Sequence, residues 1–229
     1  MILLVNRRLN EKLPIVVRLE PRIFYNPEMK SSNFFVPGLV ALILILINAL
    51  LTSIAITREK ETGTLEQILV SPVHPIEIVI GKVAPYIGIG FFNGAMIILF
   101  AKLLFDIPIQ GNLLLLSGLA LVYIFVALSF GLMISSIVRT QQLAMLITLM
   151  ATILPTIILS GFIFPISAMP LLLQYISKVL PATYFLVIIR GILLKGNGLR
   201  ELWPQAAILT GIGVFILAAA TKRFRMTLE

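Results

Sequence analysis

Cysteine is absent from the 229 residues, and histidine occurs once, at His74. Without cysteine there are no disulfides, no thiolate metal ligands and no cysteine nucleophile. A lone histidine excludes a multi-histidine metal centre. Charge is also scarce: Asp, Glu, Lys and Arg make up 12% of the chain, against roughly 25% in a soluble domain. Hydrophobic residues make up 59%, and they cluster in long runs. That pattern excludes a soluble globular domain, because a ~30 Å hydrocarbon core takes about 20 apolar residues per crossing.

Acidic groups are missing where ion-driven chemistry would need them. Glu11, Glu20, Glu28, Glu59, Glu61, Glu66, Glu77, Asp106, Glu201 and Glu229 all fall outside the middle of an apolar run. Proton- and sodium-coupled carriers hold a carboxylate or histidine inside the bilayer, so this chain does not read as one. An intramembrane aspartyl protease or a metal hydrolase lacks its reactive groups here for the same reason. No catalytic residue and no metal ligand set is expected. A phosphate-binding loop is missing as well, since Gly81-Lys82 is preceded by Ile76 where the motif needs glycine. The formal charge of +8 sits mostly in the N-terminal segment and the loops. Membrane topology and anionic headgroups account for it, and no nucleic-acid partner is implied.

What is present reads as an all-α, polytopic membrane bundle of about five transmembrane helices and two re-entrant half-helices. Spans are expected over about Phe35–Ile56, Ile76–Phe105, Asn112–Ile137, Leu143–Phe162 and Leu202–Ala220. The second carries Pro85, where a kink is expected. Gly90 and Gly94 within it have the small-residue spacing that lets helices approach closely, more often inside a bundle than between subunits. Residues 1–33 are polar and too irregular to bury a core; they read as the tail end of a larger domain. Residues 34–229 form the membrane domain. In segment 164–200, Met169–Val179 and Tyr184–Leu194 are too short to span, with Pro165, Pro170 and Pro181 marking their starts. Two readings are open for this pair: half-helices lining a pathway, or helices lying on the surface. Arg190 in the second is read as part of a pathway or as a headgroup contact.

Orientation follows from the short basic elements. Arg58, Lys60, Arg139, Lys222, Arg223 and Arg225 share one side, which is placed in the cytoplasm because short loops carry the positive-inside signal and long segments count weakly. The connector 57–75 on that side contains Thr64 and Gln67 in capping-box spacing, with Gly63 before them and Ser71-Pro72 as a stop. Leu65, Ile68 and Leu69 share one face of the short helix this predicts. Such a knob either docks into a partner's groove or lies on the headgroups. The polar residues Asn48, Asn93, Ser117, Tyr123, Ser129 and Thr152, with Phe91 and Phe92, are the candidates for a greasy substrate path.

The run Arg58-Glu59-Lys60-Glu61-x-Gly63-Thr64-Leu65-Glu66-Gln67-Ile68-Leu69-Val70-Ser71-Pro72 resembles the signature of the ABC-2 type exporter permeases. The resemblance extends to Gly161-Phe-Ile-Phe-Pro165-Ile-Ser-Ala-Met-Pro170, Leu180-Pro-Ala-Thr-Tyr-Phe185 and Arg190-Gly-Ile-Leu-Leu-Lys-Gly196, and to Tyr25-Asn26-Pro27 and Val36-Pro37-Gly38. It covers residues 23–229. It implies about six spans per subunit, a dimer of permease subunits, and a cytoplasmic ATP-binding-cassette ATPase that alone binds ATP and Mg. It also implies export of hydrophobic drugs or lipid-like molecules across a bacterial inner membrane, with half-helices on the extracytoplasmic side. The coupling residues it points to are Arg58, Glu59, Glu61, Gly63, Thr64, Leu65, Glu66 and Gln67. The family's first span and most of its extracytoplasmic domain have no counterpart here, so the chain reads as N-terminally truncated. That motivates the alternative of a non-transporting protein that binds or regulates a full-length permease.

Because the native chain has no cysteine, its topology is open to direct test. Gly198→Cys is expected to react with a membrane-impermeant maleimide in intact cells. Arg139→Cys is expected to react only after permeabilisation. The reverse pattern inverts the orientation.

Overall fold

In hydrocarbon each backbone N–H and C=O must be satisfied within the protein. Among the described residues of the computed structural model, 31–63 and 75–226, all regular structure is accordingly helical. The long helices are α1 (Ser32–Glu61), α2 (Pro75–Phe105), α3 (Leu113–Ile137) and α4 (Gln141–Leu159). After a 3-10 turn at Ile166–Ala168 come α5 (Leu171–Ser177), α6 (Pro181–Lys195) and α7 (Leu199–Met226). Five helices are long and apolar enough to cross a membrane: α1, α2 from Ala84, α3, α4 and α7. The expected spans are all found. α2 runs through Pro85 as one helix, and α4 runs through Pro155.

The helix ends follow local chemistry. Asn112 Oδ1 accepts the N–H of Leu114 at 2.8 Å and starts α3, as the N-cap position requires. Thr140 caps α4 in the same way, its hydroxyl accepting from Leu143 N at 3.4 Å. α4 stops earlier than the expected Phe162, because Ser160 closes its last turn and Gly161 takes φ +84°. Gly196, at φ +69°, ends α6; its N–H donates to Ile192 O and the N–H of Asn197 donates to Gly191 O. Those paired bonds are the left-handed glycine cap.

α1 and α3 form the centre. Of their apolar stretches 56% and 50% are buried, against 17% for α2, 22% for α4 and 17% for α7. α3 lies between α1 and α7, α4 packs on α1, and α2 rests against both central helices. Two chain reversals meet at the end where α1 begins: Gln110 N, in the turn after α2, donates to Leu193 O of α6 at 3.1 Å. The outward faces are apolar, with Leu103, Leu104, Met150 and Phe215 between 62% and 75% exposed. In a bilayer those faces meet lipid rather than water.

The segment between α4 and α7 corrects the expected boundaries. Pro170 is extended and α5 starts after it, while Pro181 opens α6 at its first turn, where its fixed φ suits a helix and its missing N–H costs nothing. α6 is therefore 15 residues long rather than the expected 11 or so, and α5 is 7. The pair is bent by 79°. The structure also separates the two readings of this pair. Phe185, Leu186, Ile188, Ile189 and Ile192 of α6 are buried, so α6 is inserted into the bundle against α1, α3 and α7. α5 stays at the surface, with Leu171, Leu172 and Tyr175 exposed.

Tyr123 holds this insertion. Its ring stacks on Phe185 at 4.0 Å with an interplanar angle of 8°, and its hydroxyl donates to Ala41 O at 3.1 Å. One side chain on α3 thus touches both α6 and α1. Tyr123→Phe is expected to cost about 0.6 kcal/mol, the mean value of an interhelical hydrogen bond in a membrane protein. Tyr123→Ala is expected to cost about 3 kcal/mol through the cavity it leaves. Thermal unfolding in detergent measures both, and equal losses would remove the stacking from the account.

Candidate functional site

The residues that the sequence points to fall into three groups along α1: its C-terminal end, its middle and its N-terminal end. At its C-terminal end α1 stays helical through the charged run to Glu61. Arg58 and Lys60 lie in its last turn, where cations favour the negative end of the helix dipole. Thr62 closes the helix, its hydroxyl donating to Arg58 O at 2.9 Å. Gly63 follows with φ +73°, the sharp turn expected of it. Thr64, Leu65, Glu66 and Gln67, and with them the short connector helix, lie outside the described residues.

Lys60 and Glu61 face the neighbouring ends of α3 and α4. The Lys60 ammonium donates to Ser135 O in the last turn of α3. A Glu61 carboxylate oxygen accepts from the backbone N–H of Gln141 at 3.1 Å and from its side-chain amide at 3.0 Å. That N–H opens α4, one of the unpaired donors at a helix start, and a carboxylate there is favoured by the dipole. Consecutive residues of α1 are therefore tied to α3 and to α4. Glu59 is half-buried and Arg58 exposed. Sequence reasoning singled out Glu61 but not Lys60, since only the fold brings residue 135 within reach.

Polar side chains fill the middle of α1. Asn48, Thr52, Ser53 and Thr57 are all fully buried. Asn48 donates from its amide to Leu44 O at 2.7 Å, and its amide oxygen lies against Gly90 of α2, where a Cβ would overlap it. The Gly90–Gly94 pair thus makes a contact within the bundle, Gly94 against Leu44. Ser53 and Thr148 share a hydrogen bond of 2.9 Å between α1 and α4. α4 presents Ala144, Thr148, Thr152, Thr156 and then Ser160 at four-residue intervals, all buried. Small hydroxyl residues let membrane helices approach closely, their hydroxyls bonding back to the preceding turn. This stripe was legible as a spacing, but Thr152 alone was singled out.

The candidate path residues are not brought to one surface. Asn48, Tyr123, Ser129 and Thr152 are inside the bundle at 1% exposure or less. Phe91 and Phe92 point outward from α2 at 40% and 66%. Asn93 is half-buried and Ser117 likewise.

At the N-terminal end of α1, Arg190 joins three segments. Its guanidinium donates to Gly161 O at 3.0 Å, to Phe162 O at 3.2 Å and to Phe34 O at 3.2 Å. It also lies 4.1 Å from the centre of the Phe34 ring. Phe34, Phe35 and Phe162 meet edge to face, at 5.6 Å and 6.1 Å. α6, the start of α1 and the loop after α4 are fastened together at one side chain. Pro165 precedes the 3-10 turn, and Pro170 and Pro181 precede and open the next two helices. A planar guanidinium serves several acceptors at once, which an ammonium on a flexible stem does not. Arg190→Lys is expected to lose about 2 kcal/mol by leaving buried carbonyls unpaired, read as a lower unfolding temperature. Arg200→Lys, at an exposed position of α7, is expected to change nothing. Equal stability of Arg190→Lys and the wild type would remove the clamp from the account.

Comparison with known proteins follows the same residues. A family model described as ABC-2 family transporter protein matches residues 3–222. The probable multidrug ABC transporter permease YbhS of Escherichia coli is 34% identical over 182 residues, covering 80% of this chain and 48% of that protein. The inner membrane transport permease YhhJ of Escherichia coli is 34% identical over 218 residues, 93% of this chain and 57% of that protein. ABC transporter G family member 20 of Dictyostelium discoideum is 28% identical over 219 residues, 95% of this chain and 30% of its own length. The chain spans about half the length of the bacterial relatives it matches. With its apolar spans, its charged run after the first of them and its inserted α6, this chain belongs to the ABC-2 family of transporter membrane proteins.

Proposed function

We propose that this chain is the membrane-embedded part of a permease subunit in an ATP-binding-cassette exporter of a bacterial inner membrane. ATP would be bound with Mg and hydrolysed by a separate cytoplasmic subunit, and a second permease subunit would complete the pathway. The cargo class this reading favours is hydrophobic, drugs or lipid-like molecules, because polar groups in the spans are few and mostly bond back to the carbonyls of their own helices. Its similarity to relatives named as multidrug and transport permeases supports the reading.

The observation that carries it is the mounting of α1. This helix is tied at its outer end by Arg190 and at its inner end through Lys60 and Glu61. A force applied at the connector that follows Gly63 enters a helix already fastened to α3 and α4. Packed helices move as bodies and not by continuous deformation, so such a force would tilt several spans together. In this reading Arg58, Glu59, Thr64, Leu65, Glu66 and Gln67 meet the ATPase. Glu61 passes the displacement to α4.

Affinity purification of the full chain from native membranes, followed by vanadate-sensitive ATPase assay of the eluate, tests this reading. An ATP-binding subunit is expected to co-purify with the wild type. Glu66→Ala/Gln67→Ala is expected to lose it or to lose the stimulation of its activity by hydrophobic compounds. Glu61→Ala is expected to keep the ATPase bound while lowering that stimulation. No co-purifying ATPase with the wild type would defeat the exporter reading.

A further inference from the structure

On the outer side of the bundle a cleft of about 360 Å³ lies between α6 and the loop that follows α4. That is the lower part of the range in which proteins hold small ligands. Pro165, Ile166, Val187 and Leu194 give it apolar walls, and Arg190 and Lys195 line it as well. Val187 is 46% exposed, so the wall is open to whatever surrounds the helices. The neighbouring surface is apolar too: Phe164, Leu171 and Tyr175 are 61%, 72% and 66% exposed. These residues stand at the end of the bundle where α1 begins and α4 ends.

Arg190 has an unusual charge balance. Among the described residues its partners are backbone carbonyls and the face of Phe34, with no carboxylate. Carbonyl dipoles orient a guanidinium and lower the cost of partly burying it, but they leave its full positive charge in place. A half-buried charge is costly until a counter-charge joins it. Lys195, one turn further along α6 and exposed, adds a second positive charge to the cleft. Phosphate and carboxylate are the groups that such cations recognise best.

We infer that this cleft binds an anionic amphiphile of the outer leaflet, its phosphate or carboxylate held by Lys195 and the Arg190 charge and the start of its chain against Val187, Leu194 and Ile166. An occupant of this kind supplies the missing negative charge and covers the apolar walls at once. A free inorganic anion does only the first. Arg190 stays bonded to its three carbonyls, so the headgroup adds to the clamp and does not compete with it. Occupancy would then stiffen the junction between α1, α4 and α6. The inference concerns binding alone and does not rest on the transport reading.

The test uses the purified full chain in nanodiscs of equimolar phosphatidylglycerol and phosphatidylcholine. Lipid retained after detergent transfer is counted by native mass spectrometry. Competition between spin-labelled versions of the two lipids gives the preference. Wild type is expected to retain phosphatidylglycerol and to prefer it by about fivefold, the effect of one basic residue on an anionic headgroup. Lys195→Glu, outside the carbonyl clamp, is expected to abolish the preference. Val187→Trp is expected to lower retention of both lipids by filling the cleft, and unchanged helical content keeps folding out of the result. Equal retention of the two lipids by the wild type would overturn the inference, as would an unchanged preference in Lys195→Glu. Release of the label by inorganic phosphate, together with no effect of Val187→Trp, would assign the cleft to a free anion and overturn the lipid.

Discussion

A positive charge among carbonyls holds together the end of the bundle where α1 begins. In a bilayer a guanidinium has no bulk water to dissolve in, and its partners must come from the protein or the lipid. Arg190 finds them in Phe34, Gly161 and Phe162. Those carbonyls belong to the first turn of α1 and to the loop just beyond α4, far apart in sequence. Their convergence keeps α6 inserted in the bundle, and α6 in turn seats the turn after α2 through the carbonyl of Leu193. The arrangement also explains why an apolar helix of 15 residues packs among the spans.

The rest of the core follows a related constraint. Lipid tails are as apolar as leucine, so burying leucine against leucine gives membrane helices little reason to associate. Close packing and polar contacts supply the reason. The hydroxyl stripe of α4 meets α1, Asn48 fits over Gly90, and Tyr123 reaches Ala41. Polar residues of the spans are therefore fasteners first. The surfaces that this single chain leaves uncovered are chiefly the outward faces of α2, α4 and α7.

The two ends of α1 use charge differently. At its N-terminal end, one cation serves several carbonyls. At its C-terminal end, a cation and a carboxylate on adjacent residues take separate helix termini, Lys60 the carbonyl end of α3 and Glu61 the N–H end of α4. Each sign meets the end of a helix dipole that suits it. A span fastened in this way at both ends is what the proposed coupling to an ATPase would require.

Membrane residence, the all-helical class and the positions of the spans were determined by the sequence itself, because uninterrupted apolar length is a local property. Helix limits were legible where a cap announces them, as at Asn112, Thr140 and Gly196. The start of α6 was marked by Pro181, although the apolar stretch read for it began later, and the end of α4 was missed where the Gly161 turn closes it early. Family membership was legible in the charged run after the first span, although the connector's own residues Thr64–Gln67 fall outside the described structure. Only the tertiary structure decided what the polar residues do. Asn48, Tyr123 and Thr152 look alike in a list of polar groups within apolar runs, whether they line a path or lock a core. Arg190 looks equally like a pathway charge or a headgroup contact. Their roles depend on which distant carbonyl or hydroxyl lies within about 3 Å, and no local pattern in a chain encodes that distance.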